Sequence, residues 1–81
     1  MQRTDIEEKV KNFLLDELEV DEENIRDDAR LYDDMGIDSL DLVEIVVIVD
    51  REFGFKINPE EMKNVSTLRQ FCDYIEANTT K

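Results

Sequence analysis

Residues 36–54 constrain the fold more strongly than any other part of the chain. An irregular acidic stretch gives way there to Asp38 and Ser39, after which the side chains are mostly apolar. Either Asp38 or Ser39 can accept hydrogen bonds from the free N–H groups at the start of a helix, with Asp41 in its first turn. Gly54 then stands where helices commonly end in the left-handed conformation. The pattern predicts a helix that begins at this pair and ends before Gly54.

A buried strand is the alternative for part of this segment. Residues 43–49 are rich in β-branched side chains, which pack well in sheets. Three features favour the helix: the capping residues at its start, the return of charge at residues 50–52, and the glycine at its end. At about 100° per residue, the predicted inner face holds Leu42, Val46, Val49 and Phe53, with Ile45 at its edge.

The opposite face of this helix combines charged and apolar side chains. Its members are Leu40, Glu44, Val47, Ile48 and Arg51, flanked by Asp41. A simple amphipathic helix does not need apolar residues within its charged face. Either other parts of the chain cover them, or they form a docking surface.

Periodic apolar residues predict a first helix from about residue 5 to residue 18. Thr4 and Glu7 have the spacing of a capping box, in which Thr4 is the N-cap. The apolar positions behind them are Ile6, Val10, Phe13, Leu14 and Leu18. Their helical spacing places them on one face, with charged residues on the other.

Two more helices are predicted near the end of the chain. Asn58 supplies an N-cap and Pro59 the first helical residue of a short helix that ends near Lys63. Ser66 is the predicted cap of the last helix. The buried face of that helix comprises Leu68, Phe71, Cys72 and Ile75. We expect residues 78–81 to form a frayed tail.

Residues 19–37 lack a helical period and form a predicted loop. A loop of this length in a small domain is uncommon unless it is functional or fixed to the core. We therefore expect Ile25, Leu31 and Met35 to anchor it by burial. A short helical turn is also predicted near residues 22–27.

The carboxylates of this loop raise the question of a metal site. An EF-hand is excluded, because aligning Gly36 with the glycine of that motif puts leucines at its first and last ligand positions. Weak, non-specific binding of divalent cations at Asp33, Asp34 and Asp38 is one interpretation. Solvated charge is the favoured one, and no metal site is predicted.

Composition limits the class of protein. The 81 residues form one predicted domain, residues 1–81, with a net charge of −12 from 10 basic and 22 acidic side chains. Residues 16–44 hold 13 of the acidic side chains and only two basic ones. This charge disfavours nucleic acid as a partner and favours proteins with basic surfaces. The longest apolar run is too short to cross a bilayer, so membrane insertion is not expected.

The side chains that could react chemically give no indication of catalysis. Cys72 cannot form an internal disulfide, and with no secretory signal we expect a cytoplasmic protein. Its place on an apolar helix face predicts a core residue. The chain contains no histidine, and Ser39 has no evident general base, so we predict no enzymatic activity. We expect a monomer.

The chain as a whole resembles the acyl carrier proteins. The resemblance rests on the helix order and on Gly-Ile-Asp-Ser-Leu at residues 36–40. It extends to Glu44 and Phe53 in the second helix, to Ile57 after it, and to Asp-Tyr-Ile at residues 73–75. The fold expected is all-α: a small four-helix bundle of three longer helices and one short one, with a long loop between helices 1 and 2.

The resemblance implies that Ser39 carries 4′-phosphopantetheine, transferred from coenzyme A by a separate phosphopantetheinyl transferase. Asp38 then inherits the family role of helping the transferase to bind its magnesium ion. Acyl groups would be held as thioesters on the terminal thiol, for fatty acid, lipid or polyketide biosynthesis by separate enzymes. A helix N-terminus suits the attached phosphate, because its free N–H groups and its dipole favour an anion.

By the same resemblance, partner enzymes with basic docking surfaces recognise the second helix. The apolar contacts implied are Leu40, Val43 and Val47, and the acidic ones are Asp38, Asp41, Glu44 and Asp50. Three positions depart from the family pattern. Arg51 stands where many members are acidic, Leu42 is bulkier than usual, and Met35 replaces a leucine. These departures leave open whether the carrier serves housekeeping or specialised biosynthesis.

Other functions stay open at this point. An aminoacyl or peptidyl carrier would use the same attachment chemistry. An unmodified acidic helical module could instead dock a basic protein through Leu40, Val47 and Ile48. A buffer for divalent cations is a further hypothesis. In the last two cases Ser39 would be only a helix cap.

Overall fold

The computed structural model describes residues 2–79, which contain four α-helices. They are α1 (Arg3–Asp16), α2 (Ser39–Phe53), α3 (Pro59–Met62) and α4 (Leu68–Thr79). Among these described residues there is no strand, and the only β-type pairing is an isolated bridge between Arg30 and Thr67. The prediction of an all-helical fold with three longer helices and one short one is confirmed. The strand alternative for residues 43–49 is wrong, because they lie within α2.

The core is formed by one apolar face from each of the three longer helices. The core members from these three helices are Ile6, Val10, Phe13, Leu14, Ile45, Ile48, Val49, Leu68, Phe71, Cys72 and Ile75, and α3 adds Met62. Burial of one such large side chain stabilises the fold by about 1.5–3 kcal/mol. The rings of Phe13 and Phe71 meet edge to face, with centroids 6.3 Å apart, so α1 and α4 pack directly against each other. The predicted apolar faces of these two helices are confirmed, except that Leu18 lies beyond the end of α1 and is only partly buried.

The start of α1 differs from the prediction. The helix begins at Arg3, and Gln2 precedes it without a side-chain capping bond, so the proposed capping box at Thr4 is wrong. The first turn is held instead by Arg3, whose guanidinium bonds Glu7 one turn on and Asp73 and Glu76 of α4. The two partners on α4 are far away in sequence, which is why local spacing alone did not indicate the start.

The end of α1 comes at Asp16, two residues before the predicted end. Glu19 adopts a positive φ of 56° and turns the chain away from the helix axis. The Val20 N–H then donates to the Leu14 carbonyl at 2.9 Å, which occupies one of the last free carbonyls of the helix. The buried Val20 side chain accounts for the early turn, because it brings the loop back onto the core.

The segment between α1 and α2 is attached to the rest of the molecule. Of the predicted anchors, Leu31 and Met35 are buried, whereas Ile25 is only partly buried. Three further anchors were not predicted: Val20, Ala29 and Ile37. The Leu31 N–H donates to the Ser66 carbonyl at 2.9 Å, and the Leu68 N–H donates to the Ala29 carbonyl at 3.0 Å. Residues Glu22–Asn24 form a 3-10 turn within the range predicted for a short helical turn.

The start of α3 follows the prediction. Asn58 is its N-cap, with the side-chain oxygen accepting from the Glu60 N–H at 2.9 Å, and Pro59 is the first helical residue. The Tyr74 hydroxyl accepts from the Asn58 N–H at 3.2 Å and donates to a Glu61 carboxylate oxygen at 2.9 Å. This polar link holds the short helix against α4.

The cap of α4 lies one residue later than predicted. Thr67, not Ser66, precedes the helix, and its Oγ1 accepts from the Gln70 N–H at 3.3 Å. The Gln70 side chain returns to accept from the backbone N–H groups of Ser66 and Thr67 at 2.7 and 3.2 Å. This reciprocal bonding is a capping box with glutamine at its fourth position. The sequence signal was present as Thr-Leu-Arg-Gln at residues 67–70.

The end of α4 is more ordered than the predicted frayed tail. Asn78 and Thr79 are helical, and their side chains bond the carbonyls of Tyr74 and Ile75 at 2.8 and 2.9 Å. The tail prediction is therefore wrong for these two residues. Its remaining residues, 80 and 81, lie outside the described part of the chain.

Candidate functional site

The start of α2 is fixed by Asp38. This residue has extended backbone angles, φ −115° and ψ −173°, and its Oδ1 accepts from the N–H groups of Leu40 and Asp41, both at 3.0 Å. Asp41 Oδ2 in turn accepts from the Asp38 N–H at 3.3 Å. Asp38 is thus the cap, and Ser39 becomes the first helical residue, with its hydroxyl outside the capping box.

The segment that leads into α2 is anchored to the core on both sides of Gly36. Gly36 has a φ of +71°, a conformation that costs other residues about 1 kcal/mol or more. Met35 and Ile37 on either side are buried, and the Ile37 N–H donates to the Leu31 carbonyl at 3.1 Å. Because its two neighbours are anchored, the chain leaves the core at a defined point and presents Ser39 in solvent.

The end of α2 matches the glycine signal in the sequence. Gly54 is the C-cap residue, with φ 77° and ψ 20°, and its N–H donates to the Asp50 carbonyl. Open space surrounds the position where a Cβ would stand, so the glycine is required by backbone conformation and not by crowding. The predicted bounds of the helix are therefore confirmed at both ends.

The outer face of α2 leaves three large apolar side chains in solvent. Leu40, Val43 and Val47 are 79%, 65% and 60% exposed. Ile48, which the helical projection placed with them, is buried with 2% exposure, so other parts of the chain cover it and its predicted role as a docking residue is wrong. The remaining apolar residues of α2 are buried or partly buried: Leu42, Ile45, Val46, Val49 and Phe53.

Packing against α1 explains the burial of Ile48. Arg51 of α2 bonds Glu17 at the end of α1 at 2.8 Å, and Glu52 lies 4.0 Å from Lys9 of α1. Helix α1 therefore runs along the side of α2 on which Ile48 lies. Within residues 2–79, other parts of the chain cover Ile48, whereas Leu40, Val43 and Val47 stay exposed.

Carboxylates surround the exposed apolar residues. Asp38, Glu44 and Asp50 are exposed and Asp41 is half-buried. The positive end of the α2 dipole lies at Ser39, which favours negative charge there. Two of the first N–H groups of α2 already bond Asp38, so they are not free to bind a phosphate as the sequence had led us to expect. The helix dipole remains as the favourable contribution for an anion on Ser39.

The buried thiol of Cys72 is inert by its surroundings. Cys72 is 3% exposed and lies on the face of α4 that meets the core, as predicted. Burial raises the pKa of the thiol to about 11, because the charged thiolate is disfavoured away from water. At neutral pH the group is therefore a protonated, apolar core side chain and not a nucleophile.

The chemistry available at Ser39 is that of an exposed hydroxyl. Its neighbours Asp38 and Asp41 are engaged in the capping box. The sequence supplies no histidine to act as a base. The exposed position leaves room for a large substituent, so the residues present fit an attached phosphopantetheine group.

Comparison with known proteins identifies the class. A family model described as a phosphopantetheine attachment site matches residues 8–75. The acyl carrier protein of Thermotoga maritima is 40% identical over 74 residues, which cover 91% of this chain and 91% of that protein. The acyl carrier proteins of two strains of Buchnera aphidicola subsp. Acyrthosiphon pisum are 36% identical over 76 residues, which cover 94% of this chain and 95% of theirs.

These matches and the all-helical fold define a phosphopantetheine-carrying domain. The chain belongs to the acyl carrier protein family. The resemblance seen in the sequence is therefore confirmed, as is phosphopantetheine as the prosthetic group of the domain.

Two further observations concern other classes of site. Among residues 2–79, no helix is long and apolar enough to cross a bilayer. Within the same described residues, no three or more histidine, cysteine or acidic side chains are grouped so that they could hold a metal ion.

Proposed function

We propose that this protein carries acyl intermediates as thioesters on a 4′-phosphopantetheine arm attached to Ser39. The observation that carries the proposal is the position of Ser39: first residue of α2, exposed, and outside the capping box. It lies within the region matched by the attachment-site model. The protein acts as a carrier without catalysis of its own, for fatty acid, lipid or related biosynthesis by separate enzymes, as a cytoplasmic monomer.

Loading of the arm is a displacement at phosphorus. Ser39 Oγ forms a bond to the phosphorus next to the pantetheine of coenzyme A, and adenosine 3′,5′-bisphosphate leaves. The hydroxyl proton goes to a base on the transferase, because the neighbouring carboxylate of Asp38 is proposed to bind magnesium. The attached group supplies a terminal thiol on which acyl groups are held as thioesters.

Asp38 is proposed to serve the transferase as well as the helix. Both capping bonds go to Oδ1, from the N–H groups of Leu40 and Asp41. The second carboxylate oxygen, Oδ2, takes no part in the cap. A magnesium ion brought by the transferase could bind Oδ2 while the helix start stays intact, since hard cations prefer carboxylate oxygens.

The exposed face of α2 is proposed as the surface that partner enzymes recognise. Leu40, Val43 and Val47 supply the apolar contacts, and the acidic contacts are Asp38, Asp41, Glu44 and Asp50. Apolar residues rimmed by charge are typical of interfaces, and the charge steers basic partners towards the face. Partner enzymes with basic docking surfaces, the phosphopantetheinyl transferase among them, fit this description.

The test uses the two serines of the chain as a matched pair. The protein is incubated with coenzyme A, magnesium and a phosphopantetheinyl transferase, and the intact mass is measured. We expect wild type and Ser66→Ala to gain the mass of one phosphopantetheine group and Ser39→Ala to gain none. Ser66 is the other serine of the chain and is also exposed.

Two results would contradict the proposal. An unmodified wild-type chain, under conditions that load a known carrier, would argue against any attachment. Loading of Ser39→Ala would place the arm elsewhere. The cargo follows from the mass of the species purified from the native host, where an aminoacyl group would replace the expected acyl group if the protein were an aminoacyl carrier.

A further inference from the structure

Arg51 is the one basic residue in the sequence of α2. It occupies the last turn, where a cation interacts favourably with the negative end of the helix dipole. Its Nη2 donates to Glu17 Oε2 of α1 at 2.8 Å, and 56% of its side chain remains exposed. The guanidinium is therefore held in place by α1 and is still accessible from solvent.

The position of Arg51 makes it part of the exposed face. At about 100° per residue it projects within about 20° of Leu40 and about 40° of Val47. Asp50 projects about 100° away from Arg51, at one edge of the face. The exposed face therefore carries carboxylates around its start and apolar side chains along its middle, and its far end carries the cation Arg51 beside the exposed carboxylate of Asp50.

The two ends of this face act as separate electrostatic determinants. Eleven residues at 1.5 Å rise place Arg51 roughly 16 Å along the axis from Leu40. The Debye length at physiological ionic strength is only about 8 Å. Arg51 therefore does not neutralise the carboxylates at the start of α2, and a partner meets the two signs of charge at different places.

The ion pair with Glu17 leaves Arg51 able to bind a partner. The bond is made through Nη2, and a guanidinium has five N–H donors in a rigid planar fork. Pairs of exposed charges contribute little to folding stability, so exchanging or sharing Glu17 costs little. A second carboxylate can approach the exposed edge of the guanidinium while Glu17 keeps it oriented.

We propose that Arg51 selects partners of mixed charge. The enzyme surface that fits has basic residues opposite the start of α2, an apolar depression for Leu40 and Val47, and a carboxylate opposite Arg51. An enzyme that is basic along the whole length of α2 would bring a cation against Arg51 and bind less well. This selectivity rests on the proposed function, because it concerns the enzymes that act on the Ser39 arm.

The experiment measures arm transfer by the phosphopantetheinyl transferase of the same host, with coenzyme A in excess and the protein concentration varied. Because the charge of Arg51 is recognised, Arg51→Glu should raise KM about tenfold and Arg51→Gln about threefold, with kcat within about twofold of wild type. The differences should shrink as ionic strength increases. Circular dichroism and melting curves establish that each variant is folded.

Two control variants separate recognition from other effects. Arg69→Glu makes the same change of charge at an exposed position on α4 and should leave KM within about twofold of wild type. Glu17→Gln removes the negative charge that pairs with Arg51 and leaves the charge of Arg51 itself unchanged. This variant should not raise KM. If Arg69→Glu raised KM as much as Arg51→Glu, the effect would be one of net charge. If Glu17→Gln raised it equally, the effect would be loss of the link between α1 and α2.

The outcome that overturns the inference is an Arg51→Glu protein whose KM is unchanged or lower than that of wild type. Either control effect described above would overturn it as well. In all these cases the wild-type chain still gains its arm, so the proposed function stands. A wild-type chain that gains no arm would instead contradict the proposed function and the inference together.

Discussion

At the scale of single residues, Asp38 and Ser39 divide two tasks between them. The sequence allowed either to cap α2, because both have short polar side chains that can accept from N–H groups. The structure assigns the cap to Asp38, whose Oδ1 bonds Leu40 and Asp41. The serine hydroxyl is thereby left accessible, so the capping chemistry of one residue sets the exposure of the next.

Substitutions of Asp38 can separate its two proposed roles. Asp38→Ala removes the cap and should lower the free energy of unfolding by about 1 kcal/mol, whereas Asp38→Asn keeps an accepting oxygen and should stay close to wild type. Both variants lose a carboxylate for magnesium, so both should be loaded by the transferase at least about tenfold more slowly. Urea denaturation measures the first effect and initial rates of arm transfer the second. Wild-type loading of Asp38→Asn would show that the transferase does not use this carboxylate.

At the scale of elements, α1 and α4 are joined by apolar packing and by one polar link. Phe13 and Phe71 pack edge to face in the interior, and Arg3 bonds Asp73 and Glu76 at the surface. Cys72 lies in the same interface. Because its thiolate is disfavoured there, the stability of this interface depends on pH in the alkaline range.

The free energy that the Cys72 thiol contributes to folding decreases as the pH rises. The ordinary pKa of the Cys72 thiol is 9.0, and burial raises it to about 11 in the folded protein. The folded state thus binds the proton more tightly than the unfolded state, so the contribution is complete below pH 9 and is lost as the pH rises to 11. The loss is on the order of 2 kcal/mol. Burial also raises the pKa of the Tyr74 hydroxyl, so alkaline destabilisation has more than one source.

Cys72→Ala isolates the contribution of the thiol, because Tyr74 and the other titrating groups remain. The variant should be less stable at pH 7 by about 1 kcal/mol, since it loses buried volume. Between pH 9 and pH 11 its free energy of unfolding should fall less steeply than that of wild type. Denaturant titrations at a series of pH values give both curves. Parallel curves would mean that the thiol keeps an ordinary pKa in the folded protein.

At the scale of the whole molecule, the charges are unevenly distributed. Of the 22 acidic side chains, 13 lie in residues 16–44, beside only two basic ones. Those two are Arg26 and Arg30, and the guanidinium of Arg30 approaches Asp33 at 3.6 Å. Self-repulsion in this region disfavours the compact state and is screened by salt.

Salt should therefore stabilise the protein. Raising the NaCl concentration from about 10 mM to about 150 mM shortens the Debye length from about 30 Å to about 8 Å, and the melting temperature should rise by a few degrees. The double substitution Glu23→Gln with Asp28→Asn removes two exposed charges from the crowded region and should reduce the response. Thermal unfolding followed by circular dichroism gives both slopes. Melting temperatures that do not change with salt would contradict the repulsion inferred here.

Much of the fold could be predicted from the sequence because the signals are local. The caps at Asp38, Asn58 and Gly54 act over a few residues, through bonds to adjacent N–H groups or through a backbone conformation that glycine adopts readily. The apolar face of α4 follows from its spacing. The position of Ser39 at the start of a helix is of the same kind, so the candidate site was accessible to sequence reasoning.

Only the tertiary structure decided the surroundings of residues whose partners are distant in sequence. Ile48 is buried because α1 runs along one side of α2, which a projection of α2 by itself does not show. Arg3 replaces the expected cap of α1 because Asp73 and Glu76 of α4 lie within reach. Hydrogen bonds and backbone angles within one turn are dictated by adjacent residues, so the sequence by itself determined which segments are helical. Burial and charge pairing depend on which element lies alongside, and only the packed chain determines that.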